Sequence, residues 1–303
     1  MNAQLLVIGN VNVDLVMGPQ QPWPTPGTEV LLPESDLRVG GAAGNTALAW
    51  QALGVPFRLV ANTSADALGR WLRDPFGTVG DAWPTSPRAC ALSVGITHPD
   101  GERTFFTTLG HLLDFTLKAV LSQVPADAPI GAIALLTGCF VTPALVAHYG
   151  DLMTTLRQRG YRVALDTGWP DGGWSSANRV VVASWLPMCD HLLINEAEAL
   201  GLTATASCEQ AAVILQQHLP AGAILVIKTG AAGARAWCDG QDVTVSAPRV
   251  IVIDTIGAGD TFNAGYLAAC VAQHGFEVAV AAGVRMASRA VSTRPRRFID
   301  HED

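Results

Sequence analysis

Three features of the sequence predict an α/β fold with a mostly parallel central sheet, helices on both faces and a small inserted β piece. Short apolar runs of buried-strand length recur along the chain. Helical patterns separate most of them, and two segments break the rhythm with strand-like alternation. The 303 residues suit one large domain, and 49% apolar against 15% charged residues supply a sizeable core.

Each element follows from its local pattern. LLVIG (5–9) is apolar throughout, as a strand covered on both faces must be. GNTALAWQAL (44–53) reads as a helix closed by Gly54, a residue suited to the left-handed position after a helix end. FRLVAN (57–62) is the next strand and ADALGRWLRD (65–74) the next helix. IGAIALL (130–136), YRVALD (161–166), HLLIN (191–195), AILVIK (223–228) and VIVID (250–254) have strand length. TPALVAHYGDLMTTLRQR (142–159), EAEALG (196–201) and CEQAAVILQQHL (208–219) read as the helices between them.

The two exceptions are GTEVLLPESDLRV (27–39), which alternates like short exposed strands, and ACALSVGITHPDGERTFFTT (89–108), a hairpin turning at HPDG. The chain has no repeat and no low-complexity linker. A single domain over 1–303 is therefore expected, with the small sheet, about 12–39 and 88–109, inserted in it.

Net charge is −7, and RPRRF (294–298) is the one short basic cluster, which argues against nucleic-acid and anionic-membrane partners. The N-terminal MNAQLLVIGNVNVD meets Asp14 too soon for a signal peptide, and no apolar run is long enough to cross a bilayer. The six cysteines are scattered without CxxC pairing, as buried thiols of a reducing cytoplasm would be. Cys139, at a strand end, is the one that stands near candidate chemistry.

That chemistry centres on DTIGAGDTFNAG (254–265), between an apolar run and the helix-like YLAACVAQ. Gly257 and Gly259 let the backbone approach a ligand and aim successive N–H groups at one point, and the following helix adds the positive end of its dipole. A phosphate is thereby favoured. Asp260 in the same turn would be repelled by that phosphate unless it had a chemical role, and accepting a proton from an attacking hydroxyl is one. Chance occurrence of DTxGAGD in a chain of this length is on the order of 10⁻⁴ from residue frequencies.

DTIGAGDTFNAG resembles the C-terminal signature of the PfkB family of carbohydrate kinases, which have the ribokinase-like three-layer fold. The resemblance implies that Gly257, Ala258 and Gly259 form an anion hole and that Asp260 is the catalytic base. VGGAAGNTALAWQALG (39–54) resembles the N-terminal signature, implying sugar contacts from Gly40, Gly41 and Asn45. Asp14, in GNVNVDLV, matches the aspartate that binds sugar hydroxyls.

Asn195 and Glu198, in INEAEAL, match the NxxE motif that orders Mg²⁺ and phosphates through water. Their other reading is an N-capped helix with an acidic first turn. VIKTGAAGARAW (226–237) resembles the nucleotide loop, with Lys228, Thr229, Gly230 and Gly233 lining ATP, although GAAG also suits an ordinary hairpin. Asp166, in LDTGW, partly matches an Asp-Pro-Asn sequence on the phosphate side. The odd β segments then correspond to a lid over the sugar.

Three departures stand beside these matches. Ala42 replaces a lysine frequent in ribokinases, and TGCFVTP lacks their glutamate; both argue against ribose. TRPRRF (293–298) lacks the glycine of a segment that, in ribokinases, helps hold a monovalent cation (K⁺) with the aspartate equivalent to Asp254. The missing glycine argues against that cation.

The implied reaction is ATP-dependent phosphorylation of a hydroxyl on a small sugar. A nucleoside kinase of the same fold, with Phe105, Phe106 or Trp23 stacking on a base, is the neighbouring alternative. A non-catalytic sugar- or nucleotide-binding protein is the other. An exposed lid edge also admits a homodimer.

Overall fold

Along strand β1 (Leu5–Ile8), Leu5 and Val7 point into one apolar core and Leu6 and Ile8 into another, all at most 1% exposed. That double burial is what the unbroken apolar run requires. The computed structural model describes residues 3–99, 103–294 and 296–298. Among these, the chain continues through β2 (Asn12–Gly18), β3 (Glu34–Gly40), β4 (Phe57–Val60), β5 (Thr63–Ser64), β6 (Thr85–Ser86) and β7 (Leu92–Thr97). It then forms β8 (Arg103–Thr108), β9 (Ile133–Leu136), β10 (Arg162–Leu165), β11 (His191–Asn195), β12 (Ile224–Lys228), β13 (Ala234–Cys238) and β14 (Gln241–Val245).

The main sheet has eight strands in the order β14-β13-β12-β11-β10-β9-β1-β4. Pairing is parallel from β4 through β12, and β13 and β14 add an antiparallel edge. Helices Tyr149–Gln158, Ser176–Trp185 and Cys208–His218 cover one face through Leu152, Met153, Val182, Trp185, Ala211 and Leu215. Helices Ala42–Ala52, Ala258–Val271 and Phe276–Val291 cover the other through Ala47, Trp50, Phe262, Tyr266, Val280 and Val284. The result is the three-layer α/β arrangement.

A separate four-stranded sheet, β3-β2-β7-β8, takes β3, β7 and β8 from the two segments that broke the α/β rhythm and adds β2. Its β7–β8 pairing is antiparallel, as the hairpin reading requires, and Asp100 and Gly101 of the HPDG turn lie outside the described residues.

The strand expected at VIVID (250–254) does not form; the sheet edge is β14 instead. Ile251 is 86% exposed, and the Ile253 and Asp254 N–H groups both donate to the Val291 carbonyl rather than to a strand. Val250 and Val252 instead line the cavity beyond the central strand ends. Val250 and Val252 are apolar as parts of a pocket wall, and period alone does not separate that from a buried strand.

From β1 the chain reaches β4 on one side and β9 onward on the other, so the order reverses between β1 and β9. In open α/β sheets, the crevice beyond the strand ends near such a reversal is where ligands bind.

Candidate active site

A cavity of about 810 Å³ opens beyond the ends of the central strands, within the size range of small-molecule sites. Thr137 and Gly138 after β9, Asp166 after β10, Asn195 at the end of β11 and Lys228 at the end of β12 line it. Gly257, Ala258, Gly259 and Asp260 close it at the start of helix Ala258–Val271.

Gly257 has φ +72° and caps this helix, and a Cβ there would lie 2.9 Å from both Asn45 Nδ2 and Arg296 Nη1. Strain and space thus both select glycine. The Ala258 N–H closes the entry turn on the Thr255 carbonyl at 3.2 Å. A Cβ on Gly259 would stand 3.4 Å from Lys228 Nζ, so the lysine charge lies against the first helical turn.

Asn45 Nδ2 donates to Asp260 Oδ2 at 2.8 Å. Burial, reinforced by the Asp166 charge, raises the Asp260 acid to about 7, against the opposing pull of Asn45, Lys228 and Arg296. A carboxylate tuned near neutrality in a cavity suits proton transfer.

Lys228 Nζ pairs with Asp166 Oδ2 at 2.8 Å, the two side chains being 10% and 9% exposed. Asn263 joins them, donating to Asp166 Oδ2 at 2.5 Å and accepting from Lys228 at 3.3 Å. Burial draws the Lys228 ammonium down, but the Asp166 and Glu198 carboxylates outweigh it and the net shift is upward.

Asn195 and Glu198 form a capping box on helix Glu196–Thr203. Asn195 Oδ1 accepts the Glu198 N–H at 2.8 Å, and Glu198 Oε2 accepts the Asn195 N–H at 2.9 Å. Both also line the cavity. The capping and cavity-facing readings therefore hold together. Burial and the neighbouring Asp166 raise the Glu198 acid.

Gly230 and Gly233 line the cavity beside Lys228. Thr229 does not; its N–H donates to the Gly233 carbonyl at 2.9 Å and closes the turn. Asp14, Gly40, Gly41 and Asn45 are not among the residues lining this cavity; Asp14 lies on β2 opposite Arg38 on β3, and a Cβ on Gly40 would fall on its carboxylate. Burial raises Asp14 to about 6, opposed by Arg38 and by the 2.7 Å hydrogen bond from Asn12 Nδ2. Gly41, at φ +84°, caps helix Ala42–Ala52, which carries Asn45 to Asp260. Cys139 is fully buried and its thiol is pushed up to about 12, which leaves it unreactive.

Sequence patterns alone do not single out every residue of the site. Asn263 lies three residues after Asp260 inside the motif, a spacing that puts both on one helix face. Asn10 and Asn12 continue a relay to Asp14: Asn10 Nδ2 donates to Asn12 Oδ1 at 2.9 Å, and Asn10 Oδ1 accepts the Ala42 N–H at 3.2 Å. Arg296 carries no signal beyond the basic run that contains it.

Residues 2–298 match the family model described as pfkB family carbohydrate kinase. A fructokinase of Vibrio alginolyticus is 27% identical over 272 residues, 84% of this chain and 85% of that protein. Among solved structures, Arabidopsis thaliana ribokinase complexed with ribose and ATP superposes with TM-score 0.77 at 21% identity, covering 97% of this chain and 94% of that one. Adenosine kinase from Sinorhizobium meliloti superposes with TM-score 0.81 at 20% identity, covering 99% and 97%. The ribokinase-like fold is common to these. No helix among the described residues is long and apolar enough to cross a membrane. The chain belongs to the PfkB family of carbohydrate kinases, ATP-dependent phosphotransferases.

Proposed function

We propose that this chain transfers the γ-phosphoryl group of ATP to a primary or other exposed hydroxyl of a small sugar, with Asp260 as general base. The observation that carries this reading is Asp260 itself: hydrogen-bonded to Asn45 at a helix start, in a cavity that Lys228 also lines. Asp260 takes the hydroxyl proton, the sugar oxygen bonds to the γ-phosphorus, and the bond to the β-phosphate oxygen breaks to release ADP. The amides of Gly257, Ala258 and Gly259, that of Ala258 shared with the Thr255 carbonyl, and the helix dipole would stabilise charge on the transferring group.

Asp14, Gly40, Gly41 and Asn45 hold the sugar on one side of Asp260. Asn195, Lys228, Gly230 and Gly233 hold the nucleotide on the other, with Thr229 shaping the loop. The apolar wall of Val250, Val252, Val284 and Ala287 suits the flat adenine. Asp166 acts on the phosphate side by holding Lys228.

Mg²⁺ prefers oxygen ligands and keeps several waters. Among the described residues no set of three acidic, histidine or cysteine side chains encloses an ion, yet the oxygen-bearing Glu198 and Asn195 both line the cavity. They fit an ion held mainly by the nucleotide and water, which would neutralise phosphate charge.

The four-stranded sheet acts as a lid that keeps water from the reaction. Its edges are β3 and β8, and the exposed Leu37, Phe105 and Phe106 support pairing with a second copy. Six cysteines without disulfides support a reducing, cytoplasmic setting.

The test is ADP release by the purified protein across sugars, sugar phosphates and nucleosides. Sugar-stimulated release that Asp260→Asn abolishes supports the reading. Release with nucleosides alone assigns the nucleoside alternative, and none with any acceptor assigns a binding protein.

A further inference from the structure

Beyond helix Phe276–Val291 the chain turns back, and Arg296 buries its guanidinium beneath the anion cradle, with 16% of the side chain exposed. Its Nη2 donates to the Ile256 carbonyl and lies 3.4 Å from Asp254 Oδ2. Its Nη1 abuts Gly257, 2.9 Å from the position a Gly257 Cβ would take. Asp254 Oδ1 in turn accepts the Ile256 N–H at 2.8 Å. One side chain therefore grips both oxygens of the turn that delivers the chain into the cradle.

These are oxygens that a monovalent cation beneath the cradle would need. Such an ion would have to share Asp254 with Arg38 at 2.6 Å, Arg103 at 3.6 Å and Arg296 at 3.4 Å. The Ile256 carbonyl is taken by a guanidinium as well. Three cations around one carboxylate repel a fourth, with Asp36 and Asp14 the nearby acids that balance them. The residues do not fit a K⁺ ion.

Resting on the kinase reading of Asp260, we infer that the Arg296 guanidinium is a built-in cation that fixes the Asp254–Gly257 turn, so that phosphoryl transfer needs no monovalent ion. Arginine suits this role because it is charged at every working pH and its planar donors bind two oxygens with fixed direction. A diffusing ion supplies the same charge only in proportion to its concentration. The Arg296 field reaches the reacting groups too, since it is among the charges that oppose the burial of Asp260 and Asp14. Arg296 is a positioning residue, acting through the turn and not by touching substrate.

The experiment compares the full chain in potassium, sodium and tetramethylammonium chloride at one ionic strength, reading both turnover and melting temperature. Wild-type kcat is expected to agree within about twofold in all three salts, with one melting temperature. Arg296→Met is expected to lose about tenfold or more in kcat with little change in sugar KM, the loss of a misaimed cradle. Millimolar guanidinium should restore part of that turnover, and Arg296→Lys should retain more than the methionine variant.

A wild-type requirement for potassium, or a potassium-specific rise in its melting temperature, overturns the inference. So does full turnover by Arg296→Met in tetramethylammonium. If no acceptor is phosphorylated in any salt, the kinase reading falls, and the melting comparison still judges the cation by itself. If Arg296→Met does not fold, the wild-type salt comparison decides.

Discussion

Asn45 and Asp260, 215 residues apart, meet in a 2.8 Å hydrogen bond between the first turns of two neighbouring helices. The amide donor holds the carboxylate in one orientation and favours its ionised form. Removing the acid while keeping the shape isolates its chemistry. Asp260→Asn should lower kcat by about 10²–10⁴-fold, the usual contribution of a general base, with ATP affinity nearly unchanged by calorimetry. Near-normal turnover would show that the base lies elsewhere.

The pH dependence follows from the same pair. A base works deprotonated, and Asp260 in the unliganded chain is raised from 3.8 to about 7, so kcat/KM should fall as pH drops through about 7. Asn45→Leu removes a contact that lowers this acid, and its acid limb should move to higher pH. The stability sign is opposite. A raised acid holds its proton more tightly when folded, so its contribution to folding is fully present below 3.8 and is lost as pH rises through about 7. A pH–rate profile together with melting curves reads both.

Lys228 and Asp166 should behave as a unit. Lys228→Met leaves a buried carboxylate with Asn263 and the Gly168 N–H as its hydrogen-bond partners and no charge to balance it, at a cost of about 3–5 kcal/mol by analogy with broken buried pairs. Lys228→Met with Asp166→Asn should recover part of that stability but none of the activity. Denaturant unfolding of the single and double variants measures the coupling, and strict additivity would contradict the pairing.

Gly257→Ala imposes a side chain at φ +72° against Asn45 and Arg296. The backbone term alone costs about 1–2 kcal/mol. Because the displaced groups are the ones that set the cradle, kcat should fall more steeply than sugar KM rises. An unchanged kcat would show that the cradle tolerates the shift.

The sequence by itself determined the α/β class, the buried strands and the residues around Asp260, because those depend on local chemistry: apolar period, glycine freedom and a rare motif. It misled at VIVI (250–253), where Val250 and Val252 wall a cavity, Ile251 and Ile253 are exposed, and no strand forms. It was silent on Arg296, Asn263 and the pairing of Lys228 with Asp166, which join positions 62 to 97 residues apart or fold a tail back on a turn. Only the tertiary structure decides such contacts, because packing brings together groups that no local pattern in the chain connects.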